Sequence, residues 1–244
     1  SYAGYYGGSI WAAATGDRAE VVVTMTTPPL LGMVGWVAQA ARGSKHVIWE
    51  MDVYPDVAVG LGTFKKGGLM DRFTGWLADT ARRKADGVIV LGQCMARLME
   101  SRGVAREKIW ICENWADGAE ISPQRFHGGE ELRVLYSGNL GLAHDVETIV
   151  GAAGQLGDGY RLKFCGGGPR RSELQNRLAR MGWITFEGYE ERGNLTQRLG
   201  WADVGLVTQR AETVGMVVPS KAYGIMAAGR GVLYVGPAES EVGR

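Results

Sequence analysis

The sequence has few cysteines and no excess of charge of either sign. Its three cysteines, Cys94, Cys112 and Cys165, lie far apart in 244 residues, and no CxxC or Cys/His spacing typical of a zinc site occurs. We therefore expect three reduced thiols, as in a cytosolic protein. Lysine and arginine number 27 against 26 aspartates and glutamates, so no overall field favours a nucleic-acid partner.

Long hydrophobic runs are also missing. The longest apolar stretch, Pro28 to Ala41, is too short to span a bilayer, and the first residues lack the basic-then-apolar pattern of a signal peptide. The 38 glycines follow no period, which excludes a collagen-like chain. With 45% hydrophobic and 22% charged residues, the composition is that of a globular protein with a sizeable core.

What the sequence does contain is an alternation of short β-branched segments with longer segments of helical period. Such alternation implies parallel strands joined by crossover helices. In the first half we predict strands at Val21–Met25, Val47–Met51, Val88–Leu91 and Ile109–Cys112, with helices at Leu31–Ala41, Met70–Ala85 and Met95–Ser101. In the second half we predict strands at Leu132–Tyr136, Arg161–Phe164, Thr185–Glu187, Val204–Thr208 and Val232–Val235, with helices at Val146–Gln155, Glu173–Met181, Leu195–Gly200 and Lys221–Ala228.

Between the two halves, a glycine- and proline-containing stretch with little periodicity interrupts the pattern. We predict an α/β protein of two Rossmann-like, doubly wound lobes that face a cleft: residues 1–122, a linker at 123–131, and residues 132–244. The first lobe opens without the usual strand and tight glycine turn, and the second stops soon after its last strand. These features predict that the first lobe is truncated at its N terminus and that the second is incomplete at its C terminus.

Two glycine-rich turns follow predicted strands of the second lobe. The first contains Gly138, Asn139 and Gly141, ahead of a helix expected to begin near His144 or Asp145. Glycine lets backbone approach a ligand closely, and a helix N-terminus attracts phosphate. The second turn, residues 165–171, includes Gly166 and Gly168 followed by Arg170 and Arg171, which could meet phosphate. For both turns an ordinary strand-to-helix connection remains the alternative.

A third segment, Val217 to Gly224, places Pro219 and Ser220 as a helix-start signal with Lys221 in the first turn. A cation there opposes the helix dipole, and a bound diphosphate would reverse that sign. This conflict between local preference and placement favours a functional role for Lys221. A surface lysine on an ordinary turn is the alternative.

Together these segments resemble the nucleotide-sugar lobe of family-four glycosyltransferases of the GT-B type, in the branch that builds lipopolysaccharide O-antigen and exopolysaccharide of the cell envelope. The resemblance rests on SGNLG, KFCGGGP, ITFEGY, WADVGLV and, above all, VPSKAYGIMAAGRGVL. The first lobe agrees through TTPPLLG, IWEMDVYPD, ADGVIVLG and IWICENWAD.

The resemblance implies a hexosyltransferase that uses a UDP- or GDP-linked sugar, with retention of configuration and no metal or other cofactor. By position, Gly138 and Asn139 would lie near the donor phosphates, and Ser220 and Lys221 at the diphosphate and sugar. Asp52 would face the cleft from the acceptor lobe. We therefore take Asp52 and Lys221 as candidate catalytic residues. The candidate donor-binding residues are Gly138, Asn139, Gly141, Gly166, Gly168, Arg171, Glu212, Pro219, Ser220, Lys221 and Glu241.

The sequence departs from the family pattern in two places. Many relatives carry two glutamates eight positions apart around the PSK element, where this chain has Met216 and Gly224. Glu212 and Glu241 are substitutes that do not share that spacing. A basic pair near the first glycine turn is replaced by Asn139 and His144.

Smaller signals leave further alternatives open. Glu50 and Asp52 could bind a metal or form a hydrogen-bonded acidic pair. His46 is expected to be structural, whereas His144 could donate to phosphate. The tryptophans could stack on sugars or pack in the core. The helix with Phe73 and Trp76 is flanked by cations that could touch anionic lipid or form a solvated face: Lys65, Lys66, Arg72, Arg82, Arg83 and Lys84.

We therefore predict a glycosyltransferase that moves a sugar to a glycan or lipid-linked acceptor. The predicted location is cytoplasmic, with peripheral contact at the inner face of the membrane as a further hypothesis and no nucleic acid as partner. A nucleotide-sugar epimerase and a non-catalytic nucleotide-sugar-binding fragment are the alternatives.

Overall fold

The computed structural model describes residues 2–126, 128–157, 159–189 and 192–244. The chain divides into two compact units. The first comprises Ser1–Glu113 and Glu212–Val218, and the second comprises Asn114–Ala211 and Pro219–Arg244. In the described ranges, no helix is long and apolar enough to cross a membrane.

The first unit is a four-stranded parallel sheet in the order β1-β2-β3-β4, with α1 before the first strand and the other helices in the connections between strands. Chain order equals sheet order because each helix returns the chain to the next position along the sheet. Its elements are α1 (Tyr2–Thr15), β1 (Val21–Thr24), α2 (Gly32–Arg42), β2 (Lys45–Trp49), α3 (Asp56–Gly60), α4 (Leu69–Lys84), β3 (Gly87–Val90), α5 (Gln93–Ser101) and β4 (Ile109–Ile111).

The core of the first unit gathers strand and helix residues such as Val88, Val90, Met95 and Met99, all fully buried. The apolar run of β3 follows from its position inside a parallel sheet that is covered on both faces. A charged pair, Glu50 and Arg82, is buried in the same unit.

The second unit is a five-stranded parallel sheet in the order β7-β6-β5-β8-β9. The chain runs outward from β5 in one direction and then returns to its other side, so the order reverses between β5 and β8. In open α/β sheets, ligands bind outside the carboxyl ends of the strands at such a reversal. The elements are β5 (Leu132–Ser137), α6 (Val146–Ala153), β6 (Tyr160–Cys165), α7 (Arg171–Leu178), β7 (Ile184–Glu187), α8 (Leu195–Trp201), β8 (Val204–Thr208), α9 (Lys221–Ala227) and β9 (Gly231–Val235).

Local sequence explains the start of α6. Asp145 is its N-cap, and the side chain accepts a hydrogen bond of 3.0 Å from the Thr148 amide, which satisfies one of the free N–H groups of the first turn. Val146 and Ile149 on one face of the helix are buried against the sheet. The predicted start near residue 145 is confirmed.

The segment 212–218 shows what chain order could not predict. The Val53 amide donates to the Met216 carbonyl at 2.8 Å, and Asp52 pairs with Val217 in an antiparallel bridge. These contacts place the segment in the first unit, although it lies between two elements of the second. Residues 114–131, where the sequence suggested the end of the first lobe and a linker, fall in the second unit. The short helix α3 was not predicted, because five residues are too few to show a helical period.

Candidate functional site

The turns after β5 and β6 pack directly against each other. The Gly138 amide donates to the Cys165 carbonyl at 2.8 Å, and the Leu140 amide donates to the Gly167 carbonyl at 2.7 Å. At Gly166, where φ is +122°, an added Cβ would lie 2.3 Å from the Gly138 carbonyl oxygen. Glycine is therefore required at Gly166 by contact between the two turns, whatever ligand they bind.

Gly168 is constrained in the same way. Its φ is +121°, and an added Cβ would lie 2.4 Å from the Leu140 carbonyl oxygen and 2.7 Å from Asn139 Oδ1. Gly141 has room for a side chain, because the nearest atom to an added Cβ, Asn139 Nδ2, is 3.6 Å away. Asn139 itself is exposed, and its carbonyl accepts from the Tyr136 hydroxyl at 2.8 Å.

Lys221, the first residue of α9, extends over the turn after β5. At Gly138, where φ is +125°, an added Cβ would lie 2.8 Å from Lys221 Cε. The Nζ atom lies 3.3 Å from His144 Nε2 and 5.3 Å from the centre of the Tyr136 ring. No carboxylate of the described residues forms an ion pair with Lys221, and burial lowers its pKa to about 8.

The partner of Lys221 in this contact is the His144 ring. Its Nδ1 lies 2.9 Å from the Thr208 carbonyl oxygen, which can only accept, so Nδ1 carries the proton. Nε2 then presents its lone pair to the Lys221 ammonium group. Burial, together with the charge of Lys221, lowers the pKa of His144 to about 4, which keeps the ring neutral near pH 7.

This contact joins the carboxyl ends of β5 and β8, the two strands between which the sheet order reverses. His144 lies on the turn after β5, and Thr208 ends β8. The neutral imidazole therefore orients the lysine at the place where open α/β sheets bind ligands. The sequence leaves open that His144 donates to phosphate, but in the structure its Nε2 atom has no proton and accepts from Lys221.

A cavity of about 500 Å³ opens beside Lys221 in the second unit, within the size range of small-molecule sites. Its cations are Lys221 and Arg198, and none of the described residues that line it carries a carboxylate. Trp115 and Tyr189 line it with largely exposed rings. The lining residues are Trp115, Ala116, Ile121, Leu135, Ser137, Gly138, Tyr189, Leu195, Arg198, Leu199, Ser220, Lys221, Gly224 and Ile225.

Sequence reasoning missed Arg198. It lies on α8, and its Nη1 donates to Ser137 Oγ at 3.5 Å, which orients the guanidinium group toward the end of β5. The available signal was weak: Arg198 is the one basic residue in the sequence of the predicted helix Leu195–Gly200. Nothing local shows that this helix returns to the edge of β5.

Other predicted donor-binding residues lie around the cavity or away from it. The residues that line the cavity include Gly138, Ser220 and Lys221. Pro219 lies directly before Ser220 in the chain. Arg171 lines a small neighbouring cleft with Gly138 and Gly166, and its buried Nε has no hydrogen-bond partner in the described part of the chain. Glu241, in the turn after β9, is not among the described residues that line the main cavity.

Two candidates belong to the first unit. Glu212 lies exposed in a 3₁₀ turn at Ala211–Thr213. Asp52 follows β2 and is half-buried, with its backbone amide donating to Thr26 Oγ1 at 3.1 Å. Burial, and secondarily the charge of Glu50, raises the pKa of the Asp52 carboxyl. Glu50 itself forms an ion pair of 2.7 Å with Arg82.

His46 has the structural role that its strand position suggested. It is fully buried, and its Nε2 lies 2.9 Å from Thr24 Oγ1. Burial lowers its pKa to about 4. An added Cβ at Gly35 would lie 2.1 Å from the ring, so the absence of a side chain there lets α2 pack over the histidine.

A family model for the glycosyl transferase 4-like domain matches residues 5–115. Across 97% of its length, the chain is 27% identical to the probable glycosyltransferase WbjE of Pseudomonas aeruginosa and covers 62% of it. Across 83% of its length, it is 26% identical to the putative colanic acid biosynthesis glycosyl transferase WcaI of Escherichia coli K12 and covers 54% of it.

The chain thus spans roughly half to three-fifths of the length of these curated relatives. The resemblance to family-four glycosyltransferases that the motifs indicated is confirmed.

Solved structures agree on the fold. The chain aligns with Anabaena Alr3699/HepE in complex with UDP at a TM-score of 0.71 and 14% identity, covering 96% of this chain and 64% of that one. It aligns with sucrose-phosphate synthase from Thermosynechococcus elongatus at a TM-score of 0.72 and 18% identity. This alignment covers 98% of this chain and 61% of the synthase chain. The predicted fold class, two Rossmann-like α/β units of the GT-B type, is confirmed.

Proposed function

We propose that the second unit binds a nucleotide sugar, UDP- or GDP-linked, and that the protein transfers the sugar to a glycan or lipid-linked acceptor. The observation that carries this proposal is the cavity beside Lys221. It lies at the reversal of strand order, and Lys221 and Arg198 are the cations among the residues that line it. Lys221 is half-buried and forms no ion pair with a carboxylate of the described residues, so a bound anion would offset the cost of removing its charge from water.

The lining suits the parts of a nucleoside diphosphate sugar. Lys221 and Arg198 would contact the diphosphate, because charge-assisted hydrogen bonds to phosphate are among the strongest polar contacts. Trp115 and Tyr189 offer flat faces on which a base or a sugar ring can stack. The HepE structure, named as a complex with UDP, supports this ligand class.

In the transfer step, the bond between the anomeric carbon and the diphosphate oxygen breaks, and the acceptor hydroxyl oxygen forms the new bond to that carbon. Negative charge then develops on the departing nucleoside diphosphate. Lys221 would stabilise that charge without a metal, since a preorganised cation needs little rearrangement during reaction. Asp52 of the first unit remains our candidate for the residue that accepts a proton, because burial raises the pKa of its carboxyl. Retention of configuration and metal independence rest on the family resemblance.

Calorimetric titration with UDP, GDP, UDP-glucose and GDP-mannose tests the donor. Binding of one nucleotide series is expected, and failure of all four would refute the donor-site proposal. Incubation of the bound sugar nucleotide without an acceptor then separates transfer from epimerisation. An isomerised sugar in that reaction would identify an epimerase, and the anomer formed with an acceptor sugar tests retention.

The pH dependence of donor affinity follows from Lys221. Its pKa of about 8 lies below the usual lysine value, so the free protein loses this charge as the pH rises through about 8. UDP-glucose has no titrating phosphate in this range, and the pKa of His144, about 4, lies well below it. We expect UDP-glucose affinity to be constant from pH 6.5 to 7.5 and to fall by up to about tenfold per pH unit above 8.

The matched variant is Lys221→Arg, which keeps its charge across the whole range. Its affinity should stay flat between pH 7 and about 8.5, below the range in which the uracil base of the ligand titrates. A parallel decline in Lys221→Arg and the unmodified chain would assign the pH dependence to another group.

A further inference from the structure

Helix α4 carries its large apolar side chains on the wrong side for a core helix. The buried residues of the helix are small or charged: Gly75, Ala78, Ala81 and Arg82. Leu77 is half-buried, and the other large apolar side chains are exposed, with exposed fractions of 85% for Leu69, 56% for Met70, 55% for Phe73 and 58% for Trp76. Burial in the core therefore does not explain them.

These four side chains form one patch. Positions 69, 73 and 76 lie one and two turns apart on the same face of a helix, and Met70 flanks them. Contiguous exposed apolar patches on folded proteins mark sites of association, whereas single exposed apolar residues do not.

The charges around the patch are cationic. Lys65 and Lys66 precede the helix and Arg72 borders the patch, all three exposed, while Arg83 and Lys84 end the helix. Arg82, which the sequence grouped with these cations, is only 3% exposed and is paired with Glu50 in the core.

The acidic residues of the helix offset the positive charge of this rim only in part. Asp71 is half-buried and accepts a hydrogen bond of 2.8 Å from the Gly67 amide. Asp79 is directed inward, where it pairs with Arg82 at 3.1 Å. The exposed face of α4 therefore combines apolar side chains with positive charge.

We propose that α4 and the loop before it form a docking surface for anionic lipid, in which the four apolar side chains enter the headgroup region of a bilayer. An apolar stripe with flanking lysines and arginines is the composition of helices that lie in the plane of a membrane interface. Anionic headgroups complement the cationic rim, and each lysine or arginine near such a surface strengthens binding by roughly fivefold. This proposal is independent of the donor site.

Vesicle co-sedimentation of the full chain tests the surface. Binding is expected to vesicles of equal parts phosphatidylcholine and phosphatidylglycerol, and not to phosphatidylcholine alone. The double variant Lys65→Gln, Lys66→Gln should bind the anionic vesicles about 25-fold more weakly, and added salt should reduce binding of the unmodified chain. Phe73→Ser with Trp76→Ser should reduce binding at least tenfold at low salt.

Matched controls lie in the second unit. Arg125→Gln with Arg180→Gln removes the same charge from other exposed positions, and Phe126→Ser removes an exposed aromatic ring. Both should leave vesicle binding within about twofold. Equal losses in the control and α4 variants would overturn the proposal.

Sedimentation velocity of the chain without lipid tests a second copy as the occupant of the patch. A dimer that dissociates in Phe73→Ser with Trp76→Ser, without a change in vesicle binding, would show that the patch is a protein interface instead. Circular dichroism confirms that the variants are folded, which is expected because all the substituted side chains are exposed.

Discussion

Replacing Lys221 with methionine is expected to weaken binding of UDP-glucose, or of whichever sugar nucleotide the chain binds, by about 10- to 100-fold. Methionine has a similar length without the charge, so the change removes the ion contact and leaves the shape. The physical reason is that Lys221 lies half-buried beside the turn after β5, where burial lowers the pKa of its ammonium group and no carboxylate of the described residues forms an ion pair with it. Calorimetric titration at pH 7 measures the loss.

Lys221→Met is expected to weaken donor binding without lowering the stability of the unliganded protein. The buried ammonium group is desolvated in the unliganded protein, which is why its pKa is low. Removing it should leave the free protein as stable as before or more stable, whereas a structural lysine would show a loss of stability. Thermal unfolding without ligand distinguishes the two. Arg161→Gln, at an exposed ion pair with Glu131, is the control and should change neither quantity. Unchanged donor affinity in Lys221→Met would remove Lys221 from the site.

Glu50→Gln is expected to destabilise the first unit by about 3 kcal/mol. The Glu50 and Arg82 side chains are 2% and 3% exposed, and they form hydrogen bonds of 2.7 and 3.3 Å. The variant keeps the shape of the side chain and leaves the buried guanidinium group with less negative charge around it. Asp79 and the Tyr54 carbonyl still contact Arg82 in this variant. The loss of free energy of unfolding should therefore lie at the lower end of the range found when one partner of a buried ion pair is removed.

Urea unfolding followed by circular dichroism measures this effect. Lys45→Gln is the matched control, because it breaks an exposed ion pair of 2.9 Å with Asp86 in the same unit and should cost less than about 1 kcal/mol. Combining Glu50→Gln with Arg82→Met should cost less than the sum of the single changes, since the second substitution removes the unpaired charge. A loss in Glu50→Gln no larger than that in Lys45→Gln would show that water reaches the pair.

The sequence by itself predicted the strands of both units closely. Apolar period and glycine turns are local properties of the chain, and they were sufficient to place β5, β6 and β8 within one or two residues. The unusual placement of Lys221 was also visible locally, because a cation in the first turn of a helix opposes the helix dipole.

The partners of Lys221 were decided only by the tertiary structure. His144 is 77 positions away along the chain, and Gly138 is further still. They meet Lys221 because β5 lies between β6 and β8, an order that depends on pairing between distant strands. Other contacts between distant residues bring Arg198 to the end of β5 and, through the bridge between Asp52 and Val217, place residues 212–218 in the first unit.

Helix α4 also shows that the sequence predicts an element, whereas tertiary packing decides which of its faces is buried. The sequence contains a helical period and a group of basic residues, but it does not tell which side of the helix meets the sheet. Packing places Arg82 inward beside Glu50 and leaves Phe73 and Trp76 outside. The sequence thus determined the elements and the chemistry available on each. Which groups face one another was decided by strand order and helix packing, because those depend on contacts between residues far apart in the chain.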